Sequence, residues 1–125
     1  MSYKVLIADD EPNIVLSLEF LLNSHGYEVA VASDGNEVLQ LAAAFRPHLV
    51  LLDVMIPAIN GFDVCRKLRA DPLQGSLKIL MLTARGRESE VTRGLSVGAD
   101  AYVTKPFATR ELIAKVHELL QGPHA

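Results

Sequence analysis

Four short apolar runs in this chain each lead into a polar residue of a different chemical kind. Val5-Leu6-Ile7-Ala8 meets Asp9-Asp10, Leu49-Val50-Leu51-Leu52 meets Asp53, Ile79-Leu80-Met81-Leu82 meets Thr83, and Tyr102-Val103-Thr104 meets Lys105-Pro106. Runs this short are too brief for buried helices and read as strands covered on both faces. Longer amphipathic segments separate them, and that alternation predicts an α/β fold with one parallel sheet and helices on both sides. In such a sheet the carboxyl ends of the strands share one edge, where ligands bind. Three carboxylates, a hydroxyl and an ammonium would then meet in one place, a set suited to a divalent cation and a phosphoryl group.

The spacing predicts strands over 4–8, 28–31, 49–52, 78–82 and 101–104. Helices are expected from Pro12 to about Gly26, over 36–44, 62–70 and 88–97, and over 109–121, with 122–125 as a tail. Ser33-Asp34-Gly35 reads as a turn and cap. Ile14, Leu18, Leu21 and Leu22 form the inward stripe of the first helix. Val38, Leu39 and Ala42 do so in the second, and Leu112, Ile113, Val116 and Leu120 in the last. Residues 56–61 read as a polar loop. The whole of 1–125 reads as one domain, without internal repeat or linker.

Composition narrows the function. The chain has 125 residues, half of them hydrophobic, enough for a real core. Its net charge of −3 argues against binding nucleic acid or an anionic membrane. Met1-Ser2-Tyr3-Lys4 leads straight into a strand without a secretory signal, and no apolar run is long enough to span a bilayer. The single cysteine, Cys65, reads as a small core residue and is compatible with a reducing, cytoplasmic setting.

Asp9, Asp10 and Asp53 would repel one another unless a cation sat between them, and Mg²⁺ (or Mn²⁺) prefers such oxygen donors. A lone carboxylate at the end of a central strand can attack phosphorus and form an acyl phosphate. Lys105 and Thr83 can hold the phosphoryl oxygens. Each residue also has an ordinary reading: Asp10 could cap the helix opening at Pro12, Thr83 could be a plain strand residue, and Lys105-Pro106 a surface turn. What favours chemistry is that all of them end separate apolar runs of one alternating pattern.

Asp9-Asp10-Glu11-Pro12, Leu52-Asp53-Val54-Met55-Ile56-Pro57, Asn60-Gly61, Thr83-Ala84, Gly98-Ala99-Asp100 and Lys105-Pro106-Phe107 together resemble the receiver domain of two-component response regulators. The resemblance covers essentially the whole chain. It implies a flavodoxin-like, doubly wound five-stranded sheet in the order 2-1-3-4-5 with five flanking helices. It implies that Asp53 is phosphorylated by a histidine kinase or histidine phosphotransfer protein. It further implies that Asp10 and Asp53 bind Mg²⁺ directly, Asp9 through water and Met55 through its backbone carbonyl. Lys105 and Thr83 would contact the phosphoryl group, small Ala84 would leave it accessible, and Tyr102 would follow Thr83. The Lys105–Pro106 peptide would be cis. The output would pass through the face made by the fourth helix, fifth strand and fifth helix, about residues 88–121, to a downstream protein or output domain.

The sequence departs from the winged-helix subfamily on that face. Glu111 and Lys115 look like half of a dimer charge network, but Val91, Ser96 and Ala101 stand where partners would be, and His117 replaces a cation. A monomer or weak dimer is therefore expected. Met55 and Arg85, two residues after Asp53 and Thr83, would tune access of hydrolytic water. His25, His48, His117 and His124 read as scattered, without metal-ligand spacing. The rival readings are an aspartyl-phosphate phosphatase, a receiver that signals without phosphorylation, and a nucleotide- or flavin-binding domain. The phosphatase lacks an acid/base at Met55. The nucleotide site lacks a glycine-rich loop after the first strand.

Overall fold

Alternation of side chains along the strands divides the core in two. In the computed structural model, which describes residues 3–84, 92–93 and 95–121, Leu6, Ala8, Val50, Leu52, Ile79 and Met81 face one side of the sheet, and Val5, Ile7, Leu49, Leu51, Leu80 and Leu82 face the other. All twelve are essentially inaccessible to solvent, as expected where helices cover both faces of a parallel sheet.

The elements follow in the order β1 (Lys4–Ala8), α1 (Pro12–Ser24), β2 (Glu28–Ala32), α2 (Gly35–Ala44), β3 (Leu49–Asp53), α3 (Gly61–Ala70), a 3-10 turn at Pro72–Gln74, β4 (Lys78–Ala84), β5 (Ala101–Lys105) and α4 (Thr109–Gln121). The five strands are parallel and ordered β2-β1-β3-β4-β5. Helices α2 and α3 cover the first face through Val38, Ala42, Val64, Cys65 and Leu68. Helices α1 and α4 cover the second through Leu18, Leu22, Leu112, Ile113 and Val116. No described helix is long and apolar enough to cross a membrane.

Several expected boundaries move. Strand β4 extends to Ala84, so Thr83 lies inside the strand and not beyond its end. Strand β5 includes Lys105, and β2 reaches Ala32. Pairing with neighbouring strands continues these ladders past the last apolar residue. Of five expected helices, four have defined bounds among the described residues. Half of the helix expected over 88–97 falls outside them, and 92–93 and 95–96 are helical. Arg85, Val91 and His124 also lie outside the described residues.

Short polar side chains open the helices. Asp34 accepts from the Glu37 N–H at 2.9 Å while Glu37 accepts from the Ser33 N–H and hydroxyl at 2.8 and 2.7 Å, so donor and acceptor exchange reciprocally. Asn60 caps α3 through the Asp63 N–H at 3.0 Å. Asp10 is not a cap. Glu11 occupies the capping position of α1 and offers no side-chain bond, while Asp9 accepts the Glu11 N–H at 2.9 Å.

The segment 56–61 is not simply polar. Ile56 is buried and Ile59 packs partly against the core. The loop is pinned by Gly61 N–H to Val54 O at 2.9 Å and Gly35 N–H to Pro57 O at 3.0 Å. A Cβ on Gly61 would lie 2.8 Å from both Asp53 O and Val54 Cα. Those are backbone atoms that cannot step aside, so Gly61→Ala is expected to cost about 3 kcal/mol in urea unfolding. Ala58 sits at φ 71° in the same loop. A left-handed alanine is strained, and Ala58→Gly is expected to raise stability by about 1 kcal/mol.

Candidate functional site

The carboxyl ends of β1, β3 and β5 bring together Asp9, the residue after β1, and Asp53 and Lys105, the last residues of β3 and β5. Asp9 extends β1 by donating its N–H to Ala32 O at 3.2 Å. Its side chain is fully buried. One carboxylate oxygen accepts the Glu11 N–H, and the other accepts from Lys105 Nζ at 2.8 Å. Lys105 Nζ also lies 3.5 Å from Asp53 Oδ2 and 3.3 Å from Glu11 Oε1. Asp53 is 6% exposed, and its Oδ1 accepts the Met55 N–H at 3.2 Å.

Asp10 faces solvent, but one carboxylate oxygen each from Asp9, Asp10 and Asp53 lie within 4.8 Å of one another. Opposite ligands of a Mg²⁺ ion at about 2.1 Å bond length are about 4.2 Å apart, so three oxygens this close match the donor set that a hard cation takes. Unit charges at that spacing repel by about 3 kcal/mol at an effective dielectric of about 20. Lys105 relieves part of that repulsion, and a divalent cation would relieve the rest.

The electrostatics reflect this crowding. Burial pushes the Asp53 carboxyl above the ordinary carboxylate value, and the Asp9 charge adds to the rise. The Met55 N–H and Lys105 oppose it without cancelling it. Burial also pulls the Lys105 ammonium down, but its bond to Asp9 and the charges of Asp53 and Asp9 outweigh burial and raise it overall.

Thr83 is buried in β4, one residue past Leu82, which pairs with Asp53 across the β3–β4 ladder. Ala84 is exposed beside it. The Met55 side chain is 63% exposed. Tyr102 is 44% exposed and lines a surface depression with Leu95, Glu111 and Lys115, away from the acidic cluster. The Lys105–Pro106 peptide is cis.

Two groups of contacts have little or no sequence signal. Glu11 joins the Lys105 cluster, and its only signal is adjacency to Asp9-Asp10. Arg69 fixes the approach to β5: its guanidinium donates to Gly98 O at 2.7 Å, Leu77 O at 2.6 Å and Asp100 Oδ2 at 2.6 Å. The three histidines among the described residues, His25, His48 and His117, are not scattered in space. His117 Nδ1 pairs with the Tyr27 hydroxyl, and a row of rings runs from His25 through His117, Tyr27 and Tyr3 to His48, with centroids 5.2–6.5 Å apart.

Comparison with known proteins agrees with this geometry. A model of the response regulator receiver domain matches residues 5–117. The alkaline phosphatase synthesis transcriptional regulatory protein PhoP of Bacillus subtilis is 46% identical over 121 residues, covering 97% of this chain and 50% of that protein. The DNA-binding response regulator MtrA of Mycolicibacterium smegmatis is 44% identical, covering 97% of this chain and 52% of its own. This chain therefore spans about half the length of the curated relatives it matches. A solved response regulator from Chloroflexus aurantiacus is 38% identical with a TM-score of 0.93, covering 97% of this chain and 99% of that one. The receiver domain of a Pseudomonas aeruginosa sensor histidine kinase, solved with magnesium ion coordinated in its active site cleft, is 26% identical with a TM-score of 0.89, covering 98% and 100%. From the strand-end cluster, the sheet order and these likenesses together, the chain belongs to the response regulator receiver domain family.

Proposed function

We propose that residues 1–125 form one receiver domain that works as the phosphorylation switch of a two-component phosphorelay, accepting a phosphoryl group on Asp53. The observation that carries this reading is the ammonium of Lys105 held 2.8 Å from buried Asp9 and 3.5 Å from Asp53, with Asp10 completing a carboxylate cluster. The donor would be a phosphohistidine of a kinase or phosphotransfer protein. An Asp53 oxygen attacks phosphorus, the new O–P bond forms as the N–P bond breaks, and the electron pair leaves on the imidazole nitrogen. Asp10 and Asp53, with Asp9 through water and the Met55 carbonyl, would hold Mg²⁺, which neutralises charge on the transferring group.

The residues then act as a switch. The phosphoryl group adds about −1.5 to −2 charge and three acceptor oxygens. Lys105, already between Asp9 and Asp53, transfers donors to it, and Thr83 supplies a hydroxyl. These contacts favour one of two conformations of the face formed by β5 and α4. Tyr102, Glu111 and Lys115 lie on that face, which passes the signal to a downstream protein or output domain. Leu16 and Phe20, 68% and 77% exposed on α1, offer apolar contact to a protein donor. Turnover of outside substrates is not part of this reading, because exposed Met55 stands where a phosphatase would place an acid/base.

The test is mass spectrometry after incubation with acetyl phosphate and Mg²⁺. One added phosphoryl group mapped to Asp53 is expected, and a gain located elsewhere overturns the assignment. With beryllium fluoride as phosphoryl mimic, sedimentation is expected to show a monomer or weak dimer. A tight dimer through residues 88–121 would show that Ser96 and Ala101 are no obstacle to pairing.

A further inference from the structure

At the opposite, amino-terminal edge of the sheet lies a cavity of about 300 Å³. Arg46, His48 and Lys78, all exposed, line it together with Ser76 and Tyr3, and no described carboxylate is among its lining residues. The chain as a whole is acidic, with net charge −3, so three basic side chains around one cavity are not a sample of its average surface.

The ordinary role for cations at this edge is to satisfy helix carboxyl ends, because the helices of a parallel sheet finish here. For α2 that role is already filled. Lys4 Nζ donates to Phe45 O at 3.2 Å and stacks over the Phe45 ring, and Gln74 donates to Ala42 O at 3.1 Å. Among the described residues neither Arg46 nor Lys78 has a carboxylate within ion-pair distance. Arg46 also sits at φ 55° just past α2, where glycine is the unstrained choice. Strained backbone at non-glycine residues clusters at ligand-binding sites, and Arg46 lines this cavity.

One donor, on His48, is fixed by its neighbours. His48 Nδ1 accepts the Lys4 N–H at 2.9 Å, so its Nε2 carries the hydrogen and is a donor. Its ring meets Tyr3 edge-on at 5.2 Å, and Tyr3 packs on Tyr27 in the row of rings that ends at His25. The His48 and Tyr3 part of the wall is therefore set before any ligand arrives, which lowers the cost of binding.

From these observations we infer that this cavity binds a small phosphate-bearing anion, held by the Arg46 guanidinium, the Lys78 ammonium, the His48 Nε2–H and the Ser76 hydroxyl. Arg46 supplies the planar fork that suits two phosphate oxygens, and Lys78 supplies a point charge. The site is separate from the Asp53 cluster at the other edge of the sheet and does not depend on phosphorylation there.

The experiment is NMR titration of the protein with inorganic pyrophosphate in metal-free, low-salt buffer, with sodium chloride at matched ionic strength as control. Saturable shifts at residues 46–48 and 76–78 are expected, with Kd below about 1 mM, and the same shifts in Asp53→Asn. Arg46→Gly suits the left-handed backbone and is expected to fold at least as stably while weakening pyrophosphate about tenfold or more. Lys78→Gln is expected to weaken it less. Non-saturating shifts, shifts spread over the protein's lysines and arginines alike, or unchanged affinity in both variants would overturn the proposal.

Discussion

Asp53→Asn will take up no phosphoryl group from acetyl phosphate under conditions where the native chain gains one. The asparagine side chain can still occupy the end of β3 and accept the Met55 N–H through its amide oxygen, so the strand end and loop are kept. What it loses is the nucleophilic oxygen. The same substitution has a second expected effect, on stability without metal. The folded-state value of Asp53 is raised above the ordinary carboxylate value of 3.8, so within that window the native state binds more protons than the unfolded chain. Native stability in EDTA must therefore fall as pH rises from about that value through the raised one, and it stays lower at neutral pH. Asp53→Asn removes that part of the pH dependence and is expected to be more stable than native at pH 7 in EDTA. Added Mg²⁺ should reverse the order, because the native chain keeps all three carboxylates and binds the cation more tightly. Urea unfolding at several pH values, with and without Mg²⁺, reads all of this. A variant that still gains a phosphoryl group would remove Asp53 from the mechanism, and identical pH profiles would mean its burial carries no charge penalty.

Lys105→Met is expected to lower stability in EDTA by about 2–3 kcal/mol. Methionine keeps most of the side-chain volume but leaves Asp9, fully buried, with only the Glu11 N–H. Removing one partner of a buried pair strands the other charge, and that is where the loss arises. At the alkaline end the native Lys105 contribution is full below the ordinary lysine value of 10.5 and fades as pH rises through the raised folded value. Mg²⁺ should restore more stability to Lys105→Met than to the native chain, since the ion takes over charge that Lys105 had compensated. Phosphoryl uptake from acetyl phosphate should persist, while the proposed change on the Tyr102 face should be lost, because in the proposed switch the ammonium follows the phosphoryl oxygens. Chemical shifts of residues 101–104 and 111–115 with beryllium fluoride report it. If Lys105→Met matches native stability in EDTA, the Asp9–Lys105 contact has no energetic weight.

Much of this is legible in the chain because it rests on local chemistry. Leu49–Asp53 reads as a central strand from four consecutive apolar residues, Asp34 stands where a helix opens, and Asp9, Asp10, Asp53, Thr83 and Lys105 stand at the ends of apolar runs. The segment 56–61 reads as polar since Ile56 and Ile59 have no periodicity of their own. Their burial depends on Gly61 lying close against the backbone of Asp53 and Val54. Asp10 looks like a cap because it lies just ahead of Glu11-Pro12, but the chain enters α1 one residue later.

The sequence by itself determined the strand–helix alternation, the five-stranded parallel sheet and the residues that meet at its carboxyl edge. All of these follow from short-range patterning and from the fixed direction of parallel strands. Only the packing of distant elements decided that Lys105 pairs with Asp9 and that Glu11 joins them. It also decided that histidines far apart in sequence form one row of rings, and that Arg46, His48 and Lys78 surround a cavity at the other edge. Those contacts join residues from elements tens of positions apart. Their energies depend on distance and burial in three dimensions, which no local pattern encodes.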